Sequence, residues 1–268
     1  MSETKQTLKS FATLFNETLK IFKTDWLRFV KMIGLGILGI VPLAVILGLF
    51  FLNTIIFKNA NIIGATSMII LGFASLVAVI FAIYISIISK IGSFNLLKDR
   101  TEKILEVFKN SRVNFWGFVW ISILTAILVM LWTVAFIIPG VIFGVYYSLA
   151  IYAFIFEGKT GMSAIKRSQE LIKDYWWAFL GRILLFSLII MAGYAVVAII
   201  FSLPEFAIAK GTASQIIFKN FADLIGALFS AFIITPLYLI FSSLIYKNLV
   251  AIKGNTVKQE IPLPIEKV

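Results

Sequence analysis

Residues 113–156 read VNFWGFVWISILTAILVMLWTVAFIIPGVIFGVYYSLAIYAFIF, and this run of 44 residues contains no charged side chain. The hydrocarbon core of a lipid bilayer is about 30 Å thick, and a helix of about 20 residues crosses it. The run is therefore too long for a single crossing. Its middle holds Pro139-Gly140, a dipeptide typical of tight turns. The stretch predicts a hairpin of two membrane-spanning helices.

The rest of the chain has the same character. Of its 268 residues, 60% are hydrophobic and 14% are charged, whereas about 25% of the residues of a soluble domain are charged. Further uncharged runs cover 32–57, 59–89, 183–204 and 224–246. We therefore expect an all-α, polytopic membrane protein with one membrane domain, 1–250, and a cytoplasmic C-terminal tail, 251–268. The six transmembrane helices are expected at about 29–52, 65–89, 115–138, 141–156, 180–203 and 224–246.

Lysine and arginine are distributed unequally between the connections. The segments up to Lys31, 90–112, 157–182 and from Lys247 onward hold 21 of the 24 basic side chains, and the alternate connections hold 3. Because positive charge is retained on the cytoplasmic side, we expect a protein of the cell membrane with both termini in the cytoplasm. Most of the formal net charge of +11 would then face anionic lipid headgroups, the expected partner. No nucleic-acid-binding motif is found, so no nucleic-acid partner is expected.

The basic segments also predict short helices before the first, third and fifth spans. In the N-terminal segment, apolar residues recur at steps of three and four, which is typical of a helix lying in the interface or packed on the protein's own cytoplasmic face. The tripeptides Phe22-Lys23-Thr24, Phe108-Lys109-Asn110 and Ile172-Lys173-Asp174 align, each ending in a helix-capping residue. We therefore expect three repeated units, each consisting of a cytoplasmic interfacial helix and two spans.

The third interfacial helix is the main candidate site. It lies within GKTGMSAIKRSQELIKDYWW, residues 158–177. Its Gly158-Lys159-Thr160 ends a near match to a nucleotide-binding loop, but bulky side chains precede it where that loop needs small ones, so a simple turn is favoured. We expect anionic headgroups to contact Lys166, Arg167, Lys173 and Arg182. Aromatic rings prefer the same depth, and the expected interfacial anchors are Trp26, Trp176 and Trp177.

Small residues and prolines within the spans suggest packing and hinge positions. Glycines let helices approach closely, and proline removes a backbone hydrogen bond. The expected positions are Gly140, Gly144, Pro42, Pro139 and Pro236.

Residues 137–182 resemble the family of integral membrane proteins named after the membrane domain of glycerophosphoryl diester phosphodiesterase. The resemblance rests on Ile138-Pro139-Gly140, the aromatic span after it, Ala164-Ile165-Lys166-Arg167-Ser168, Glu170-Leu171 and Trp176-Trp177. It implies a multi-span membrane topology and a role that is unsettled. In fused members of the family, hydrolysis belongs to a separate soluble barrel with acidic and histidine catalytic residues. This chain has no histidine, so phosphodiesterase activity is not expected.

Three classes of function are compatible with these features. The chain contains neither histidine nor cysteine, and no catalytic or metal-binding constellation is visible, so no cofactor is expected. We expect a non-enzymatic membrane protein that binds lipid or a partner, as a scaffold or as the membrane component of a complex. The alternative is a permease for a neutral or amphiphilic compound, since prolines within spans mark some transport sites. A lipid-processing enzyme is the third class. A closed bundle would favour the first, and a cavity open to one side the second.

Overall fold

The computed structural model describes residues 7–56, 62–203 and 212–260, with no account of the side chains at 62–64 and 255–260. Apart from short connections, the described residues are helical, and none of them lies in a strand. The helices are α1 (Phe11–Leu38), α2 (Val41–Ile56), α3 (Ile62–Lys98), α4 (Ile104–Ser111), α5 (Phe115–Ala135), α6 (Ile137–Tyr147), α7 (Ala150–Glu157), α8 (Gly161–Ile172), α9 (Trp176–Ser202), α10 (Ala213–Phe229) and α11 (Thr235–Glu260).

Within the described residues, six helical segments are long and apolar enough to cross a membrane, as the sequence predicts. The part of the chain that the structure describes is therefore all-helical and has the architecture expected of a multi-pass membrane protein. Five of the segments combine two helices. In Ile104–Ala135 and Gly161–Ser202 an expected interfacial helix leads into a span, and in the other three the span itself is divided. The six segments are Phe11–Ile56, Ala65–Lys98, Ile104–Ala135, Ile137–Glu157, Gly161–Ser202 and Ala213–Gly254.

The chain forms two compact units, of which residues 27–116 make up one. In this unit the first span is interrupted at Gly39-Ile40, and Pro42 lies in the first turn of α2, where a missing N–H is tolerated. Gly36 allows close packing on α3, since a Cβ there would lie 2.7 Å from Ser89 Oγ. The Ser89 hydroxyl donates to the carbonyl of Met32 at 2.6 Å. The first expected span, 29–52, is therefore two helices and not one.

The loop between α3 and α4 belongs to the same unit. The guanidinium of Arg28 donates to the carbonyls of Arg100 and Glu102. The hydroxyl and the backbone N–H of Thr101 donate to the Asp99 carboxylate, each at 2.7 Å. These hydrogen bonds favour the charged carboxylate and lower the pKa of Asp99.

The second unit comprises residues 1–26 and 117–268, of which the described parts contain the first part of α1, nearly all of α5, and α6–α11. The predicted hairpin of α5 and α6 is present, but it turns at Phe136, whose backbone is extended. The expectation that Pro139-Gly140 forms the turn is therefore wrong, because Pro139 lies in the first turn of α6, a position that proline tolerates. Gly140 lies against α5, since a Cβ there would come within 2.3 Å of Thr133 Oγ1.

The last span contains a second irregularity. A π-helical turn, Ser230–Ile234, joins α10 to α11, and Pro236 is the second residue of α11. Proline cannot donate the hydrogen bond of a regular α-helix, and a π-turn upstream of it is one way in which a helix accommodates such a defect. The α11 helix continues to Glu260, so the first ten residues of the predicted tail are helical, while 261–268 lie outside the described residues.

The helix boundaries bear on the predicted threefold repeat. A 3-10 turn separates α4 from α5 at Arg112–Asn114, and another separates α8 from α9 at Lys173–Tyr175. The first follows its aligned tripeptide, 108–110, by one residue, and the second overlaps its tripeptide, 172–174. The α1 helix, in contrast, passes through Thr24 and Asp25 without interruption, so the expected helix break is absent from the first copy. The repeat and the interfacial setting of these helices stay predictions.

Candidate functional site

The candidate site is built around α8 and begins at the end of α7. Gly158 adopts the left-handed conformation, with φ of 69°, which glycine reaches without a steric penalty. Its N–H donates to the Phe154 carbonyl, and the N–H of Lys159 donates to the Ala153 carbonyl. In a nucleotide-binding loop these two N–H groups would instead have to donate to a phosphate. Gly158-Lys159-Thr160 is therefore a helix-terminating turn, as the sequence favours.

Ser168, on the buried side of α8, supports a break in the fourth span. The expected span 141–156 is divided between α6 and α7 at Ser148-Leu149. The Ser168 hydroxyl donates to the Tyr146 carbonyl at 2.6 Å and accepts from the Leu149 N–H at 3.1 Å. The fully buried Ser168 side chain thus provides hydrogen-bond partners for one carbonyl and one N–H group at the break.

An ion pair and a buried tyrosine join α7, α8 and α11. Arg167 Nε donates to the two carboxylate oxygens of Glu157 at 2.9 and 3.1 Å. The hydroxyl of Tyr246 donates to Glu157 Oε1 at 2.6 Å. The Tyr246 ring is buried and stacks on Tyr152 and Phe156, with centroids 6.0 and 5.7 Å away. The Arg167 charge is therefore compensated within the protein.

Arg182 is likewise engaged by the protein. Its guanidinium donates to three backbone carbonyls, those of Leu8, Lys9 and Ala178, at 3.1, 2.9 and 2.7 Å. Two of these carbonyls precede α1, where the chain has no helical partner for them. Arg182 therefore holds the start of α1 against α9.

Lys166 and Lys173 are placed differently from the two arginines. Both are exposed, and within the described part of the chain neither side chain has a hydrogen bond or an ion pair. Two apolar residues flank them and are also exposed: Met162 lies one helical turn before Lys166, and Trp177 lies four residues after Lys173, beyond the 3-10 turn that ends α8. We call Met162, Lys166, Lys173 and Trp177 the α8 stripe. The nearby Asp174 carboxylate is paired with Lys253.

The predicted aromatic anchors also differ in exposure. Trp177 is 79% exposed and Trp26 is 50% exposed, so both rings are free to meet a surrounding phase. Trp176 is half-buried and lies edge-to-face against Trp177, with centroids 4.6 Å apart. Its indole nitrogen is buried without a hydrogen-bond partner among the described residues.

The predicted packing and hinge positions differ in their surroundings. Gly140 lies in close contact, whereas the nearest atom to a Cβ on Gly144 would be a Val129 methyl at 3.8 Å. Pro42 and Pro236 each follow an interruption of an α-helix, and Pro139 does so after Phe136. These prolines therefore begin helices and do not kink them in the middle.

Three residues important to the site were missed by sequence reasoning. Glu157 is the first charge after the 44-residue apolar run, which is a signal that it lies at a span end and could be paired. Tyr246 is one of several aromatics in a span, and Ser168 is one serine in a polar helix. Nothing in their spacing identifies their partners, which come from distant segments of the chain.

No group of three or more potential metal ligands is present among the described residues. In comparisons with known proteins, no family model, no curated protein and no solved structure matches this chain. The similarity of residues 137–182 to the phosphodiesterase membrane-domain family is therefore a resemblance only, and the geometry alone carries the functional argument.

Proposed function

We propose that this chain is a non-enzymatic integral membrane protein that binds anionic lipid through the α8 stripe and serves as a lipid-bound scaffold. The proposal rests on a difference among the four basic residues that the sequence predicts to contact headgroups. Arg167 and Arg182 bind protein groups, while Lys166 and Lys173 are exposed. The positive-inside distribution puts the stripe on the predicted cytoplasmic face.

The chemistry of the stripe suits a headgroup layer. A lysine places its apolar stem along the membrane boundary and its ammonium group among phosphates, and an exposed tryptophan favours the same depth. Each juxtamembrane lysine contributes about 1 kcal/mol of attraction to an anionic surface. In this proposal the Arg167–Glu157 pair and the Arg182 hydrogen bonds fix α8 and its connection to α9, so that the two lysines are presented together.

Lipid enrichment around the protein tests the proposal. The full chain and a Lys166→Gln/Lys173→Gln variant are placed in nanodiscs of mixed anionic and zwitterionic phospholipid, and the retained lipid is quantified by mass spectrometry after mild extraction. We expect the wild-type chain to retain anionic lipid preferentially. The double variant should lose that preference, since about 2 kcal/mol of attraction is removed.

A matched control separates a local site from overall charge. The Lys58→Gln/Lys219→Gln variant loses the same charge from connections predicted to face the other side, and it should retain the preference. Equal losses in the two variants, or no loss in the first, would contradict the proposal. The positive-inside distribution would then be sufficient to explain Lys166 and Lys173.

A further inference from the structure

A second feature, independent of the α8 stripe, lies between α9, α10 and α11. A cavity of about 670 Å³, largely open to the outside, is lined by apolar side chains that include Met191 and Ile234, and by a smaller polar set. The polar set consists of Ser187, Tyr194, Asp223, Ser230 and Tyr238. The volume of the cavity falls within the range of about 300–1,000 Å³ that is usual for small-molecule sites.

Asp223 is the unusual member of this lining. Among the described residues, its carboxylate has neither a hydrogen bond nor an ion pair, and the exposed Lys219, one helical turn earlier, does not pair with it. Asp223 immediately precedes the uncharged run 224–246, and its side chain is exposed while also lining the cavity. The unpaired carboxylate is therefore accessible to a cation from outside the protein.

The other walls of the cavity fit the rest of such a ligand. Tyr194 and Tyr238 supply aromatic rings, which attract cations through their faces, and Met191 and Ile234 supply apolar surface. Tyr238 is held in place by a hydrogen bond with Ser187 and by an edge-to-face contact with Phe186 at 5.1 Å. The π-helical turn Ser230–Ile234 forms part of the wall, and such turns frequently occur at functional sites.

We propose that this cavity binds a small organic cation, an amine with an apolar or aromatic body, through Asp223. A neutral compound lacks the charge that the carboxylate requires, and an anion would be repelled by it. The proposal does not depend on lipid binding by the α8 stripe. It also changes the permease alternative, for which the sequence indicates a neutral or amphiphilic compound.

The test uses three probes of similar size and different charge. The full chain in zwitterionic nanodiscs is titrated with 2-phenylethylamine, 2-phenylethanol and 3-phenylpropanoate by isothermal titration calorimetry, and titrations of empty nanodiscs are subtracted. Only the amine should bind saturably. Asp223→Asn should weaken amine binding roughly tenfold or more, which is typical of losing a hydrogen bond to a charged group.

Two further variants keep the result interpretable. Asp223→Glu retains the carboxylate and should keep the preference for the amine. Glu106→Gln, in the exposed face of α4, removes one acidic group elsewhere and should bind the amine as the wild type does. Thermal unfolding without probe shows that each variant is folded. Equal binding of amine and alcohol, no saturable binding of the amine, or undiminished amine binding by Asp223→Asn would overturn the proposal.

Discussion

Replacing Ser168 by alanine isolates the contribution of one hydroxyl group to the broken fourth span. The substitution leaves the helix backbone of α8 unchanged, but it removes the partner of the Tyr146 carbonyl and of the Leu149 N–H. The site has no exposed surface, so water cannot replace the lost hydrogen bonds without a rearrangement of α8. The Ser148-Leu149 break should therefore be strained in the variant.

The expected magnitude follows from the two groups that lose a partner. A buried polar group left unsatisfied costs about 1–3 kcal/mol, whereas single polar contacts in a membrane protein average about 0.6 kcal/mol. Two groups therefore lead us to expect a loss of about 2 kcal/mol in the free energy of unfolding. The measurement is an SDS titration of the purified chain in mixed micelles, followed by tryptophan fluorescence.

Ser163→Ala provides the matched control. It makes the same chemical change in the same helix, at an exposed serine whose hydroxyl donates to the Thr160 carbonyl. We expect it to lower the free energy of unfolding by under about 0.5 kcal/mol, as exposed substitutions usually do. If Ser168→Ala and Ser163→Ala reduced stability equally, the reasoning that Ser168 supports the break would be refuted.

Two further predictions concern packing and topology. Gly140→Ala should destabilise the α5–α6 hairpin by about 1–3 kcal/mol, because the added Cβ would lie 2.7 Å from the Thr133 Cα, a backbone atom. Gly144→Ala, whose Cβ would lie 3.8 Å from its nearest neighbour, should be neutral or stabilising in the same unfolding titration. Equal losses of stability in the two variants would contradict the close contact at Gly140. For topology, single cysteines placed at Asn59 and Ser163 of this cysteine-free chain should react with an impermeant thiol reagent in intact cells only at position 59, and labelling at 163 would reverse the predicted orientation.

The six apolar segments could be predicted from the sequence because they depend on local composition. Length and hydropathy determine whether a helix satisfies its own backbone within a bilayer, and no distant residue is needed for that. The turn after Gly158 is also local, since glycine alone accommodates the left-handed conformation there without a penalty. The sequence places the connection between α5 and α6 three residues too late, at Pro139, because proline is tolerated both in tight turns and in the first turn of a helix.

Tertiary structure decided the roles of the individual side chains. The sequence presents Lys166, Arg167, Lys173 and Arg182 as four equivalent cations. Folding brings Glu157 and the carbonyls before α1 to the two arginines, and it leaves the two lysines exposed. The cavity at Asp223 likewise requires three helices to meet. A charge pattern depends on residue types along the chain, whereas a partner depends on which distant segments pack together, and that packing is not encoded in any local spacing.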